Sequence, residues 1–230
     1  MHLVQAKELY RVLALSSEIH DKDIVDHLQG VQKLTEKFMA ILKQSKKYKL
    51  TEEYVNEIVL CSVLHDIGKS GIPESILYKP GPLSFFERKI MEMHPLIGVD
   101  ILLKISKEIP NGFVKDWETA INVIRYHHEK WDGTGYPMGL KREQIPLEAR
   151  IIAIVDVYDA LIRKRSYKNS WTTTEAIAYL VDNKGIHFDP YLVEIFIEKV
   201  LKDSKKEQNN TVILEFPNEY IISRPSTLKK

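Results

Sequence analysis

At 230 residues and 26.7 kDa, with 33 Lys and Arg against 32 Asp and Glu, the chain is nearly neutral, which excludes the broad basic footprint of a long nucleic-acid binder. Its one cysteine, Cys61, excludes an internal disulfide framework and suits a reducing compartment, with core filling as its expected role. No N-terminal apolar signal region stands out, and runs such as 151–155 fall far short of the ~18 residues of a membrane helix, so one main domain in a soluble, cytoplasmic protein is expected.

Residues 3–16, with Val4, Tyr10, Leu13 and Ala14, are loosely helical and read as a docking helix. A stronger helix is expected from residue 21 or 23 to 44, because Ile24, His27, Val31, Leu34, Phe38, Ile41 and Leu42 fall on one face. A lone histidine on such a face is ordinarily a satisfied core or rim residue, and Asp23 lies one turn before it. After a basic polar hinge at 43–49, Thr51 opens a helix whose stripe of Tyr54, Ile58, Cys61, Ser62 and His65 runs into His65-Asp66-Ile67-Gly68-Lys69. An adjacent imidazole and carboxylate at a buried helix end can bridge two cations. The alternative is a C-cap with Asp66 and Lys69 paired on the surface and Gly68 as the stop; the apolar stripe argues against it.

Residues 70–83, punctuated by Pro73, Pro80, Gly81 and Pro82, read as a loop able to cover a pocket. Ser84 and Glu87 have capping-box spacing and start a helix carrying Ile90, Met91 and, on its apolar side, His94; Pro95 then begins a second segment over 96–105. Asp116 caps the next helix, whose Ala120, Ile121, Val123 and Ile124 lead to His127-His128-Glu129 and the turn Asp132-Gly133-Thr134-Gly135-Tyr136-Pro137. Neighbouring side chains on a helix diverge by about 100°, so two adjacent histidines reach one pocket only where the helix ends. Taken alone, that stretch fits a metal cluster and a pair of surface histidines equally well.

Past Pro146, a helix with Leu147, Ile151, Ile154, Val155, Tyr158, Leu161 and Ile162 inward is interrupted by Asp156 and Asp159. One of the two is expected to face a site and the other to pair with a nearby arginine, since a buried carboxylate is costly without a partner. The basic run 163–168 reads as solvated charge. Thr172 and Glu175 make another capping box, for a helix reaching Gly185 with Ile177, Leu180 and Val181 inward, and Asp189-Pro190 caps a last helix through 202. Residues 203–210 form a polar linker, and 211–216 with 219–223 read as two short strands around Pro217-Asn218. There are no internal repeats.

The chemistry-bearing residues left over are His27, His65, Asp66, His94, His127, His128 and Asp156. Seven ligands exceed one metal, and mixed imidazole and carboxylate ligation suits iron, manganese or zinc better than magnesium or calcium. His65-Asp66 with Gly68-Lys69, and His127-His128-Glu129 with Asp132-Gly133-Thr134-Gly135-Tyr136-Pro137, resemble the HD-GYP family of cyclic di-GMP phosphodiesterases. The likeness runs from about His27 to Phe196 and takes in Gly71-Ile72-Pro73 to Lys79-Pro80-Gly81, His94-Pro95, the Asp156 to Leu161 segment and His187-Phe188-Asp189-Pro190.

The resemblance implies an all-α, HD-domain helical bundle with a metal site in its centre over 21–202, to which the residue pattern adds an N-terminal helical extension at 1–20 and a linker and tail at 203–230 that reads as a small β-hairpin. It implies two divalent transition metals, iron or manganese with zinc allowed, on the seven residues above; Asp66 bridges, and Asp23 serves only if a third metal binds. It places Lys69 and Tyr136 on the substrate, with Lys69 and Asp66 as catalytic groups, and gives the phosphate or guanine to Arg165 and Lys168. The expected activity is hydrolysis of cyclic di-GMP to pGpG, with further cleavage to GMP left open, in bacterial signalling, with regulation supplied by a protein partner and a homodimer allowed for. Three departures stand out: Gly30 where the family often has arginine, Ser166 where it usually has proline, and Asp23 where members holding a third metal have glutamate. The competing readings are a weakly catalytic cyclic-dinucleotide receptor and a hydrolase of another dinucleotide such as cyclic GMP-AMP.

Overall fold

The computed structural model describes residues 2–17, 23–45, 47–108, 117–163 and 170–201, with backbone alone at 2–8 and 16. The expected cap at Asp116, the residues Arg165, Ser166 and Lys168, and both C-terminal strands lie outside them. The architecture is all-α: α1 (His2–Ser17), α2 (Ile24–Lys43), α3 (Glu52–Cys61), α4 (Glu74–Leu77), α5 (Phe85–Met91), α6 (His94–Glu108), α7 (Glu118–Tyr126), α8 (Leu147–Ile162), α9 (Thr173–Asp182) and α10 (Pro190–Ile195). No strand occurs among the described residues.

Local chemistry sets several boundaries. The Thr51 hydroxyl accepts from Tyr54 N–H to start α3, and Ser84 with Glu87 and Thr172 with Glu175 form complete capping boxes at α5 and α9. Asp189 accepts from Tyr191 and Leu192 N–H, with Pro190 in the first turn of α10, which passes into a wider turn over Phe196–Leu201.

Two apolar clusters share α2 and α8. Val31, Phe38, Met39 and Leu42 of α2 meet Ile151, Ile154, Val155 and Tyr158 of α8, together with Leu180, Leu192 and Phe196. At the other end, Ile24 and Leu28 of α2 and Ile152 of α8 join Tyr10 and Ala14 of α1, the 61–67 segment, Val99 and Leu102 of α6, and Val123 and Ile124 of α7. Each fully buried large side chain contributes roughly 1.5–3 kcal/mol. Cys61 fills this second cluster as a free, buried thiol.

Several expectations are corrected. The Tyr54 to His65 stripe does not stay α-helical: α3 stops at Cys61 and the chain tightens into 3₁₀ turns at Ser62–Leu64 and Ile67–Gly71. Gly68 is required there, because a Cβ would lie 1.8 Å from the His94 carbonyl oxygen and 2.5 Å from Gly98 N. His94 opens α6 instead of closing α5, with Pro95 in its first turn. Helix α5 buries nothing, so Ile90 is exposed; Val181 is exposed as well, and α9 ends at Asp182 rather than Gly185.

Candidate metal centre

Five structural elements deliver the seven predicted ligands to one region. His27 comes from the first turn of α2, His65 and Asp66 from between the two 3₁₀ turns, His94 from the start of α6, His127 and His128 from the end of α7, and Asp156 from the middle of α8. Ligand atoms of Asp66, His94, His127 and His128 lie within 4.8 Å of one another, and so do those of His27, His65 and Asp66. Asp66 is common to both groups, the position of a bridge. Asp156 stands beside the second group, its Oδ1 3.5 Å from His27 Nε2 and 3.6 Å from His65 Nε2. Asp23 belongs to neither group.

Four of the five imidazoles are held by their outer nitrogens. His65 Nδ1 lies 2.8 Å from Ser62 O, His94 Nδ1 2.8 Å from Met91 O, and His127 Nδ1 3.0 Å from Ile124 O; His27 Nδ1 lies 2.8 Å from Asp159 Oδ2. A carbonyl or carboxylate oxygen only accepts, so each Nδ1 carries the proton and each Nε2 is turned inward. An acceptor on the far ring nitrogen fixes the tautomer and the ring orientation that a metal-binding imidazole requires. His65 Nε2 and Asp66 Oδ1 are buried without a hydrogen bond, although Asp66 Oδ2 lies 3.2 Å from the former and His94 Nε2 3.2 Å from the latter. Buried orphans that each lie at contact distance from another side chain of the same cluster fit the donor set of a cation site.

The electrostatics agree. Burial disfavours an imidazolium at His65, but Asp66 and Asp156 outweigh it and hold its pKa well above the ordinary value. Burial would lift Asp66, yet Lys69 and His65 hold it well below the usual carboxylate range, and Asp156 is lowered by His65 and His27 against its own burial. His127 and His128 are pushed down, chiefly by burial, so they stay neutral. Lys69 Nζ lies 2.7 Å from Asp66 Oδ2 at the rim. The Tyr136 ring stacks on His128 at 4.8 Å between centroids, and burial raises its phenol so that it remains a donor.

Four further residues were not assigned to the site from sequence. Buried Glu129 accepts from the N–H groups of Met138, Gly139 and Leu140, at 2.6, 3.1 and 3.0 Å, and so pins the turn that carries Tyr136. Its place beside the histidine pair was visible, but its acceptor role depends on the fold of the turn. His187 stacks on Phe188 at 4.1 Å, its ring pushed down to about 4 by burial and Lys130, while its carbonyl accepts from Trp131 N–H. Asp159 does pair with an arginine, Arg163, as the sequence suggested for one of the two α8 carboxylates, but it also binds His27.

Comparison with known proteins places this geometry. The sequence profile of the HD domain family matches residues 19–192. The chain belongs to the HD domain family. It is 40% identical over 193 residues to 3'3'-cGAMP-specific phosphodiesterase 2 of Vibrio cholerae, covering 84% of this chain and 34% of that protein. It is 45% identical over 148 residues to the cyclic di-GMP phosphodiesterase response regulator RpfG of Xanthomonas campestris, covering 64% and 37%, and 34% identical over 205 residues to a cyclic di-GMP phosphodiesterase of Thermotoga maritima, covering 88% and 52%. This HD domain therefore spans between a third and about half of the length of these relatives. A crystal structure of a cyclic GMP-AMP specific phosphodiesterase from V. cholerae shares the fold with a TM-score of 0.60 at 20% identity, over 90% of this chain and 51% of that one. No helix among the described residues is long and apolar enough to cross a membrane.

Proposed function

We propose that this HD domain is a metal-dependent phosphodiesterase that opens cyclic di-GMP to linear pGpG. The observation that carries the reading is the inward set of imidazole Nε2 atoms around Asp66, each fixed by an acceptor on Nδ1. His27, His65, Asp66, His94, His127, His128 and Asp156 would hold two divalent transition metals, iron or manganese, with Asp66 between them and zinc as the alternative. Such a pair activates water and offsets phosphoryl charge.

The protein's own groups then have definite tasks. Lys69, at the rim beside Asp66, offers its ammonium to a phosphoryl oxygen as charge develops there. Tyr136, protonated and set over His128, donates to the substrate. Arg165 and Lys168 are proposed to hold phosphate or guanine. Names of relatives support a cyclic dinucleotide as substrate, and the V. cholerae cyclic GMP-AMP enzymes favour that dinucleotide as the second reading. Regulation by a protein partner is part of the proposal, as is a cytoplasmic location suited to the free thiol of Cys61.

The test is anaerobic purification, metal analysis, and hydrolysis assays with both dinucleotides. Two transition metals per chain and release of pGpG are expected, with Asp66→Ala losing metal and turnover together. Protein that carries metal, binds cyclic di-GMP and cuts neither dinucleotide would make it a receptor instead.

A further inference from the structure

Gly30 sits inside α2, where glycine is a poor helix residue, and its missing side chain is filled by other groups. A Cβ built there would lie 2.0 Å from Arg163 Nη2 and 2.1 Å from Asp159 Oδ1. The slot over Gly30 is thus occupied by an ion pair from the last turn of α8. Arg163 Nη2 donates to Asp159 Oδ1 at 2.9 Å, Arg163 Nε donates to Oδ2, and the Arg163 backbone N–H caps the Asp159 carbonyl. The fork is bidentate and leaves the carboxylate one fixed orientation. That carboxylate, 2% exposed, uses Oδ2 to accept from His27 Nδ1 at 2.8 Å.

We propose that Arg163, admitted by the glycine at position 30 and acting through Asp159, is a positioning residue for His27 and sets the affinity of one metal subsite. The inference rests on reading His27 as a ligand. His27 has a carboxylate of α8 on each side, Asp159 accepting from Nδ1 and Asp156 Oδ1 3.5 Å from Nε2, and only the first holds the ring, so the direction of Nε2 depends on how firmly Asp159 is held. His65, His94 and His127 rest on backbone carbonyls that cannot swing away; His27 alone among these four depends on a side chain, and Arg163 is what fixes it. The Arg163 side chain is 24% exposed and belongs to neither apolar cluster.

The experiment titrates chelator-stripped full-length protein with Mn²⁺ under anaerobic conditions and reads stoichiometry and affinity. Arg163→Ala should weaken one ion by roughly 10- to 100-fold and leave the other unchanged, as loss of an outer-shell partner does. Millimolar guanidinium ion should recover much of that loss in Arg163→Ala and do nothing for the unaltered protein, which a general weakening of the fold would not produce. Gly30→Ala, which removes no charge but pushes into the pair, should act in the same direction, and it keeps the question answerable should Arg163→Ala fail to fold. If both variants titrate like the unaltered protein while His27→Ala loses an ion, the relay plays no part in metal binding and the inference is wrong. If His27→Ala still binds both ions tightly, the reading of His27 as a ligand fails first.

Discussion

At the scale of single residues, the site is poised by opposing electrostatic effects whose signs give a pH prediction. Asp66 and Asp156 are held below the usual carboxylate range and His127 and His128 below the usual imidazole value, so all four are already in ligand form near neutrality. His65 is the exception, raised by Asp66 and Asp156 against its burial. Its folded pKa lies above the unfolded value of about 6.5, so its protonation stabilises the metal-stripped fold fully below about pH 6.5, and that contribution fades as pH rises through the folded value. Metal requires the form without that proton, so its affinity should run the other way. Between about pH 6 and the folded pKa of His65, the Mn²⁺ dissociation constant should tighten by about tenfold per pH unit, with one proton released to buffer in calorimetry. A flat dissociation constant and no proton release would mean that His65 is neutral before metal arrives.

At the scale of elements, legibility followed the range of the interaction. The caps at Thr51, Ser84, Thr172 and Asp189 depend on partners two or three residues away, and all were readable. The tightening after Cys61 was not, because it is dictated by the approach of Gly68 to the His94 carbonyl and Gly98 across the fold. Asp159 shows the same limit in the site: its arginine is four residues away and was anticipated, whereas its histidine is 132 residues away and was not. The turn after the histidine pair gives the element-scale prediction. Glu129→Ala removes the acceptor shared by three N–H groups, and leaving such donors unmade costs on the order of 1–3 kcal/mol. Tyr136 rides on that turn, while His127 is held separately by the Val123 and Ile124 carbonyls. We therefore expect KM to rise by about an order of magnitude with metal content intact, the pattern of lost binding that is uniform across the reaction. Loss of metal instead would show that Glu129 supports the histidines directly.

For the whole molecule, the proposed ligands come from five segments that the second apolar cluster already packs against one another. His27 and Asp156 lie on α2 and α8, which run through both clusters, while His65, Asp66, His94 and His127 come from segments around the second. The residue types and, through the resemblance, the role of Asp66 were legible in the sequence, but the grouping of His94, His127 and His128 on one side of Asp66 and of His27 and His65 on the other was not, since it depends on how α2, α6, α7 and the 3₁₀ turns cross. A cation bound among them is a crosslink present in the folded state and absent from the unfolded chain. At a free concentration of 100 times its dissociation constant, one ion stabilises by about 2.7 kcal/mol. For a domain of this size each kcal/mol moves Tm by roughly 2–4 °C, so each Mn²⁺ ion bound at that excess should raise the midpoint of chelator-stripped protein by roughly 5–11 °C. Asp66→Ala should abolish most of that rise, because the atom common to both ligand groups is gone. Arg163→Ala should remove only part of it at moderate Mn²⁺ and recover as the concentration increases, since it leaves every ligand in place. An unaltered protein whose midpoint is indifferent to Mn²⁺, Fe²⁺ and Zn²⁺ alike would refute the metal-centred reading at its foundation, because the orphaned His65 Nε2 and Asp66 Oδ1 would then be satisfied by something other than a cation.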